Sequence, residues 1–179
     1  MSSEEQARYP IGRFQRNPAP LQAEGRGKLI ASLAGLPADL RTIIESLSEA
    51  QLEQRYRPGG WTVRQLVHHL PDSHLNAYLR IKLALTEDTP TVKTYNEARW
   101  AALPDAAATP VAVSLILLAA LHARWATLLG RLPEADFQRA FQHPEWGAVT
   151  VDDALAQYEW HGRHHLAHIR LALHPSPSG

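Results

Sequence analysis

Apolar side chains recur at helical spacing along four long stretches of this 179-residue chain, and that pattern leaves few folds open. From Leu21 to about Leu52, the residues Leu29, Leu33, Leu36, Leu40, Ile43, Ile44 and Leu47 fall on one side of a helix, with a bend expected at Pro37. Thr62, just after the turn YRPGGW, is placed to N-cap a second helix that runs to about Glu87. A third covers about Val111 to Leu129. Thr150, with Asp153 three residues on, resembles a capping box and opens a fourth helix that ends near Leu173. Strand-like alternation does not persist over more than a few residues, and there is no internal repeat. Each apolar stripe can be buried only against its neighbours, so the pattern predicts an all-α four-helix bundle with one or two long connections.

The connections are read from proline and glycine. Residues 1–20 are expected to form an extended N-terminal arm, because YPIGRFQRNPAP holds three prolines and a glycine and cannot continue a helix. The arm should lie across the domain or a partner subunit. The segment EDTPTVKTYNEARWAALPDAAATP reads as a long structured crossover with a short helical piece around Asn96 to Leu103. Leu132 to Thr150 reads as turns and irregular chain. Residues 21–174 then make one helical domain, the size a single core of this length supports, with 175–179 as a disordered tail.

Composition excludes whole classes of function. With 18 basic and 18 acidic residues the formal charge is zero, so no electrostatic footprint points to nucleic acid or an anionic membrane surface. The opening MSSEEQARYP has no apolar h-region and no later stretch offers 18 uninterrupted apolar residues. Neither export nor membrane spanning is expected, and a cytoplasmic setting is. The chain has no cysteine, which excludes disulfides, thiolate ligands and a cysteine nucleophile. Thiol chemistry would need an external thiol.

The histidines carry the chemistry. Of ten, four fall in WHGRHHLAHI on the fourth helix, and two are adjacent in HHL on the second. On a helical wheel His165 lies about 30° from the centre of the fourth helix's apolar stripe and His161 about 70°, whereas His168 and His164 lie near 90° and 130°. The inward pair is therefore 161 with 165, spaced i, i+4 so that both imidazoles stand one turn apart on one face. A hydrogen-bonded polar cluster or a solvated face is the competing reading. On the second helix His69 flanks the stripe at about 110° and His68 at about 150°, which makes His69 the third candidate. His74 falls inside the stripe and reads as a core histidine, and His122 reads as core or as a support for the ligands. His143 and His174 are expected at the surface. Three histidines are a catalytic rather than a structural ligand set, because a coordination position stays open. Gly162 occupies the position where the metalloprotease H-E-x-x-H motif needs its glutamate, so peptide hydrolysis by that route is not expected.

The strings YPIGRF, GGWTVRQLVHHLPDSH, LALTEDTP, LHARW, HPE and WHGRHHLAHI together resemble the DinB/YfiT family of metal-binding four-helix proteins, closest to its bacillithiol-transferase-like branch, over Tyr9 to Ile169. The resemblance implies an up-down-down-up bundle, often a homodimer, with one zinc or nickel ion per chain. By motif position the ligands are His69, His161 and His165, the same three that the wheel selects. Members are described as metal-dependent hydrolases or as S-transferases that join a low-molecular-weight thiol to an electrophile. The partners expected are accordingly a small-molecule thiol, an electrophilic substrate, or both. One departure stands out: Pro71, in HHLPDSH, lacks the N–H that would bond the Val67 carbonyl, so a kink is expected two residues after His69.

Three functions follow as expectations. The leading one is an S-transferase in which the open metal position takes a thiol as its thiolate. The second is a hydrolase using a metal-bound water, and the third a non-catalytic protein whose ion pins two helices together. Asp72, His68, His122 and His164 are candidates to support the ligands from behind. No general base is assigned. Trp100 and Trp146, in irregular segments, are candidates for the mouth of the site.

Overall fold

A computed structural model describes residues 3–174 of the chain. The expected disordered tail, 175–179, lies outside the described residues. Four long helices dominate: α2 (Ala23–Ile44), α4 (Val63–Thr86), α7 (Val111–Leu129) and α8 (Val151–Leu173). Short ones fill the connections: α1 (Ser3–Arg8), α3 (Glu49–Leu52), α5 (Glu97–Trp100) and α6 (Pro104–Ala108). The helical starts follow the side-chain logic of capping. Thr62 with Gln65 and Thr150 with Asp153 both form complete capping boxes, each hydroxyl accepting from the backbone N–H three residues on.

Direction follows from which residues meet. Leu36 touches Gly162 and Ser32 bonds Glu159, so α2 and α8 run parallel. His69 meets the ring of His165 and His74 meets His161, so α4 and α8 run antiparallel. His68 bonds Ser114 and His74 bonds His122, so α4 and α7 run parallel. The order is therefore up-down-down-up. Each of α2 and α4 packs against both α7 and α8, which puts the consecutive helices α2 and α4 at opposite corners. Because α4 and α7 point the same way, the chain must travel the length of the bundle between them, about 36 Å for a 24-residue helix. The crossover holding α5 and α6 makes that journey.

Several boundaries differ from the sequence expectation. The arm is not extended throughout: it opens with α1, which no apolar periodicity announces. The helix expected to reach Leu52 stops at Ile44. Ser48 then caps α3 with Gln51 in a capping box, and that local alternative ends the run although Leu47 continues its apolar spacing. Pro71 sits inside a continuous α4. The segment before α8 is not irregular, for β1 (Ala140–His143) pairs antiparallel with β2 (Gly147–Thr150). Gly147 turns this hairpin at φ 69°, where a side chain would be strained. The Gln142 carbonyl also accepts from Val92 N–H at 3.0 Å, tying the crossover to the hairpin.

The apolar interior falls into two clusters. One gathers Leu33, Ile81, Trp125, Phe141 and Leu155, and the other Leu40, Leu66, Leu70, Leu118 and Ile169. By length and composition α7 is apolar enough to cross a membrane, yet its Leu118, Trp125 and Leu129 are fully buried within the bundle. Between the two clusters, at the level of His69, His74, His122, His161 and His165, the interior turns polar.

Candidate metal centre

The structure brings the three predicted histidines together. His161 Nε2 lies 3.3 Å from His69 Nε2 and 3.1 Å from His165 Nε2. One ligand atom from each of the three lies within 4.8 Å of the others. Imidazole nitrogens bound to one ion at about 2.1 Å stand roughly 3.0–3.4 Å apart, so the spacing fits. Despite Pro71, α4 delivers His69 to the cluster from one side while consecutive turns of α8 supply the other two. Gly162, between the ligands of α8, allows a close approach of α2: a Cβ there would fall 2.5 Å from Leu36 Cδ2.

Burial keeps these rings neutral. His69 is pushed down to about 4 by loss of water around the charged form. His161 and His165 go well below the usual value, first through burial and then through repulsion among the neighbouring imidazoles. Neutral imidazole is the form that donates a lone pair to a metal. The donor set, three nitrogens with no thiolate, suits a borderline divalent ion such as zinc or nickel.

Behind the cluster the rings continue. His161 Nδ1 lies 3.1 Å from His74 Nε2, His74 Nδ1 lies 2.9 Å from His122 Nε2, and His122 Nδ1 donates to the Leu33 carbonyl at 2.6 Å. His165 Nδ1 lies 3.3 Å from His168 Nδ1, and His168 Nε2 donates to the Arg8 carbonyl at 3.2 Å. His122 thus stands behind the ligands as expected, but its contact with them runs through His74, whose place in the apolar stripe marks it in the sequence only as a core residue. The arm lies across α8, as anticipated. It helps to bury His168 and His164, which the wheel sets at about 90° and 130°; Tyr9 lies 6.2 Å from the His164 ring, Trp160 stacks on that ring at 4.5 Å, and Tyr56, outside the arm, stacks on His168 at 3.9 Å.

The other expected supports are elsewhere. His68 bonds Ser114 Oγ at 2.8 Å, away from the three rings. Among the described residues no hydrogen bond joins Asp72 to His68 or His69; burial raises its carboxyl, and the nearby Asp105 adds to this. His143 is not at the surface: it is 3% exposed and stacks on Trp146 at 4.3 Å. Trp146 is thereby used in the hairpin, and Trp100 packs on Tyr95. Two aromatic residues border the cluster: Tyr158, 5.6 Å from the His161 ring, and Trp61, 4.7 Å from the His69 ring and 6.4 Å from that of His165. The signal for Trp61 was its position immediately before the Thr62 cap, which fixes where it enters the bundle.

A parallel-and-antiparallel bundle with three convergent histidines from two helices defines a class of its own, and comparison with known proteins agrees. The sequence profile of the DinB superfamily matches residues 32–169, and the chain belongs to that superfamily. A protein of Bacillus cereus (strain 03BB102), named "Putative metal-dependent hydrolase", is 49% identical over 162 residues, covering 90% of this chain and 92% of the relative. A Bacillus mycoides (strain KBAB4) protein of the same name matches equally well. The solved structure of YfiT from Bacillus subtilis superposes with a TM-score of 0.90 at 43% identity, covering 94% of this chain and 97% of that one. It is described as a probable metal-dependent hydrolase with an unusual four-helix bundle topology.

Proposed function

We propose that this protein is a metal-dependent enzyme in which His69, His161 and His165 hold one zinc or nickel ion per chain, and that it conjugates a low-molecular-weight thiol to an electrophile. One observation carries the choice of reaction. Three neutral ring nitrogens converge, and among the described residues no carboxylate hydrogen-bonds any of the three rings. A hydrolase that activates water gains from a nearby base, whereas a thiol, with a pKa near 8.5, ionises close to neutrality without one.

A divalent ion in that donor set supplies Lewis acidity, lowering the pKa of a thiol or a water brought to it. The rest falls to the chain. Helices α4 and α8 fix the donors, the two apolar clusters exclude water, and Trp61 offers a flat apolar wall for an electrophile. The thiol proton leaves to solvent, a sulfur–carbon bond forms, and the leaving group departs with its electron pair. The lack of cysteine protects the chain from its own electrophilic substrates. A cytoplasmic setting, where small thiols stay reduced, fits the reading.

Hydrolysis is the second reading, favoured by the names of the relatives. Metal-loaded protein mixed with a thiol and a halonitroarene should form conjugate faster than the metal-free protein does. An ester panel assayed without thiol separates the two readings. Turnover of esters alone overturns the transferase reading. If neither assay responds to metal while thermal stability does, the ion is structural. Alanine at His69, His161 or His165 should cut metal affinity more than about a hundredfold, since a site worth about 10 kcal/mol spread over three donors gives each about 3. His164→Ala should retain the ion. The expected homodimer is supported by apolar side chains on outward faces, Leu75 and Leu79 of α4 and Ile116 and Leu117 of α7, with Ile116 61% exposed. Light scattering at micromolar concentration tests it.

A further inference from the structure

We infer that two buried histidine chains, each anchored on a backbone carbonyl, lock His161 and His165 as Nδ1–H tautomers and so aim both Nε2 lone pairs at one point. The inference rests on the metal-site reading for its purpose, but its proton positions can be measured without any metal.

The argument is one of donors and acceptors. A carbonyl oxygen can only accept, so the nitrogen that faces it must carry the proton. At Leu33 this fixes His122 as Nδ1–H, which leaves its Nε2 as an acceptor. His74 must then donate from Nδ1 across 2.9 Å, leaving its own Nε2 bare. His161 must donate from Nδ1 across 3.1 Å, and its Nε2 is left with a lone pair. The second chain repeats this from the other side. The Arg8 carbonyl fixes His168 as Nε2–H, so His168 Nδ1 accepts from His165 Nδ1, and His165 Nε2 is bare.

Both chains therefore end with lone pairs facing each other at 3.1 Å, a contact no proton of either ring can occupy. Two convergent lone pairs repel in the metal-free state and are reconciled by a shared cation. A neutral imidazole free in water has no comparable constraint on which nitrogen carries its proton, so the chains perform an orientation that would otherwise be left to chance. His74, His122 and His168 are positioning residues here. The N-terminal arm becomes part of the site, because the Arg8 carbonyl terminates the second chain.

Nitrogen-15 spectra of the full-length metal-free protein, labelled at histidine, read the tautomers directly through long-range couplings. We expect Nδ1–H at His74, His122, His161 and His165 and Nε2–H at His168. An Nε2–H proton on His161 or His165 overturns the inference whatever the protein's affinity for metal. His122→Gln can still donate to Leu33 and accept from His74, whereas His122→Leu can do neither. Titration of Zn²⁺ against a chromophoric chelator should show the glutamine variant within a few-fold of wild type. The leucine variant should bind about 10–100-fold more weakly, with mixed tautomers at His161. His168→Gln and His168→Leu should divide in the same way, now through His165. Equal zinc affinity in the leucine and glutamine variants of both positions overturns the positioning role, even if the spectra are as expected. Should the leucine variants fail to fold, the wild-type spectra alone still decide. If wild type shows the expected tautomers and binds no zinc, the metal reading fails while the proton arrangement stands.

Discussion

The first turn of α8 and its middle both bury polar side chains, with opposite outcomes. At Asp152 the polar groups close on one another. Arg26 donates to both carboxylate oxygens at 2.8 and 3.1 Å, to Glu134 at 2.7 Å and to the Leu21 carbonyl at 2.9 Å. Gln138 and the Leu21 N–H add two more bonds to Asp152, and the guanidinium covers the Phe137 ring at 4.0 Å. At His161 and His165, three turns on, the protons run out and lone pairs converge. Buried polar groups that satisfy each other hold a fold together, and a buried set that does not is asking for something from outside.

Acid should separate the two regions most strongly. A ring that is neutral when folded and charged when unfolded binds fewer protons in the native state below the unfolded pKa of about 6.5, so stability falls as pH falls. His69 and His122, both near 4 in the fold, each contribute up to about 1.4 kcal/mol per pH unit over that window. His74, His161 and His165 are likewise held well below the ordinary imidazole value by burial and act in the same direction. Urea midpoints of metal-free protein should therefore drop steeply from pH 6.5 to 5. A flat profile would break the claim that the middle of α8 is held neutral and open.

The closed end should respond to mutation instead. Asp152→Ala leaves the Arg26 guanidinium buried without its main partner and should cost about 3–5 kcal/mol. Replacing both partners with apolar residues, Arg26→Met with Asp152→Leu, should recover most of that, because nothing charged is then left unpaired. Zinc affinity of the folded double variant should match wild type. A loss of affinity there would show that the two regions are not independent, and the contrast would have to be redrawn.

Legibility in the sequence divides along related lines. Long periodic runs, with an N-cap at Thr62 and a capping box at Thr150, could be read directly, and so could the three convergent histidines, because burial and spacing on one helix are both functions of angle. What escaped depends on packing from outside the helix concerned. His164 and His168 lie farther round the wheel than the inward pair, and the arm covers them together with the Trp160 ring on His164 and the Tyr56 ring on His168. His143 is buried by a hairpin whose strands are four residues each, too short for alternation to register. His74 was correctly sent inward, but its bond to His161 spans two helices and leaves no mark in the sequence of either. The Ser48–Gln51 capping box was visible in the letters and was masked by the apolar spacing that runs on through Leu47.

Gly162, next to His161, lets α8 pack tightly against Leu36 of α2, the helix that also carries Arg26. A methyl group there meets the buried Leu36 side chain at 2.5 Å and must push the helices apart or force a rotamer change. Gly162→Ala should therefore cost about 1–3 kcal/mol by overpacking, despite the gain in helix propensity of about 1 kcal/mol. Zinc affinity should fall with it, because His161 is the preceding residue. Leu36→Ala in the same chain makes room for the methyl, and recovery of affinity in that pair would sharpen the case that spacing, not helix stability, is at fault.

The smallest effect belongs to the rim of the closed end. Arg16, on the arm, donates to Asp153 at 2.5 Å and to the Ala148 carbonyl at 2.7 Å, but its side chain is 46% exposed. Burial pushes the Asp153 carboxyl up, yet the hydrogen bonds from Arg16 and Thr150 outweigh this and leave it below its ordinary value. A carboxyl lowered in the fold contributes stability above its unfolded pKa, and that contribution is lost as pH falls through the folded one. Water and salt screen a half-exposed pair, so Arg16→Ala should cost no more than about 1 kcal/mol near neutrality. The difference between variant and wild type should start to shrink as pH falls below the ordinary aspartate value of about 4 and be lost once the lowered Asp153 carboxyl is itself protonated. That window lies well below the histidine transition starting at about pH 6.5, so one urea series across pH resolves both. A difference that instead persisted unchanged well below pH 4 would mean that Arg16 holds the arm through the Ala148 carbonyl rather than through Asp153.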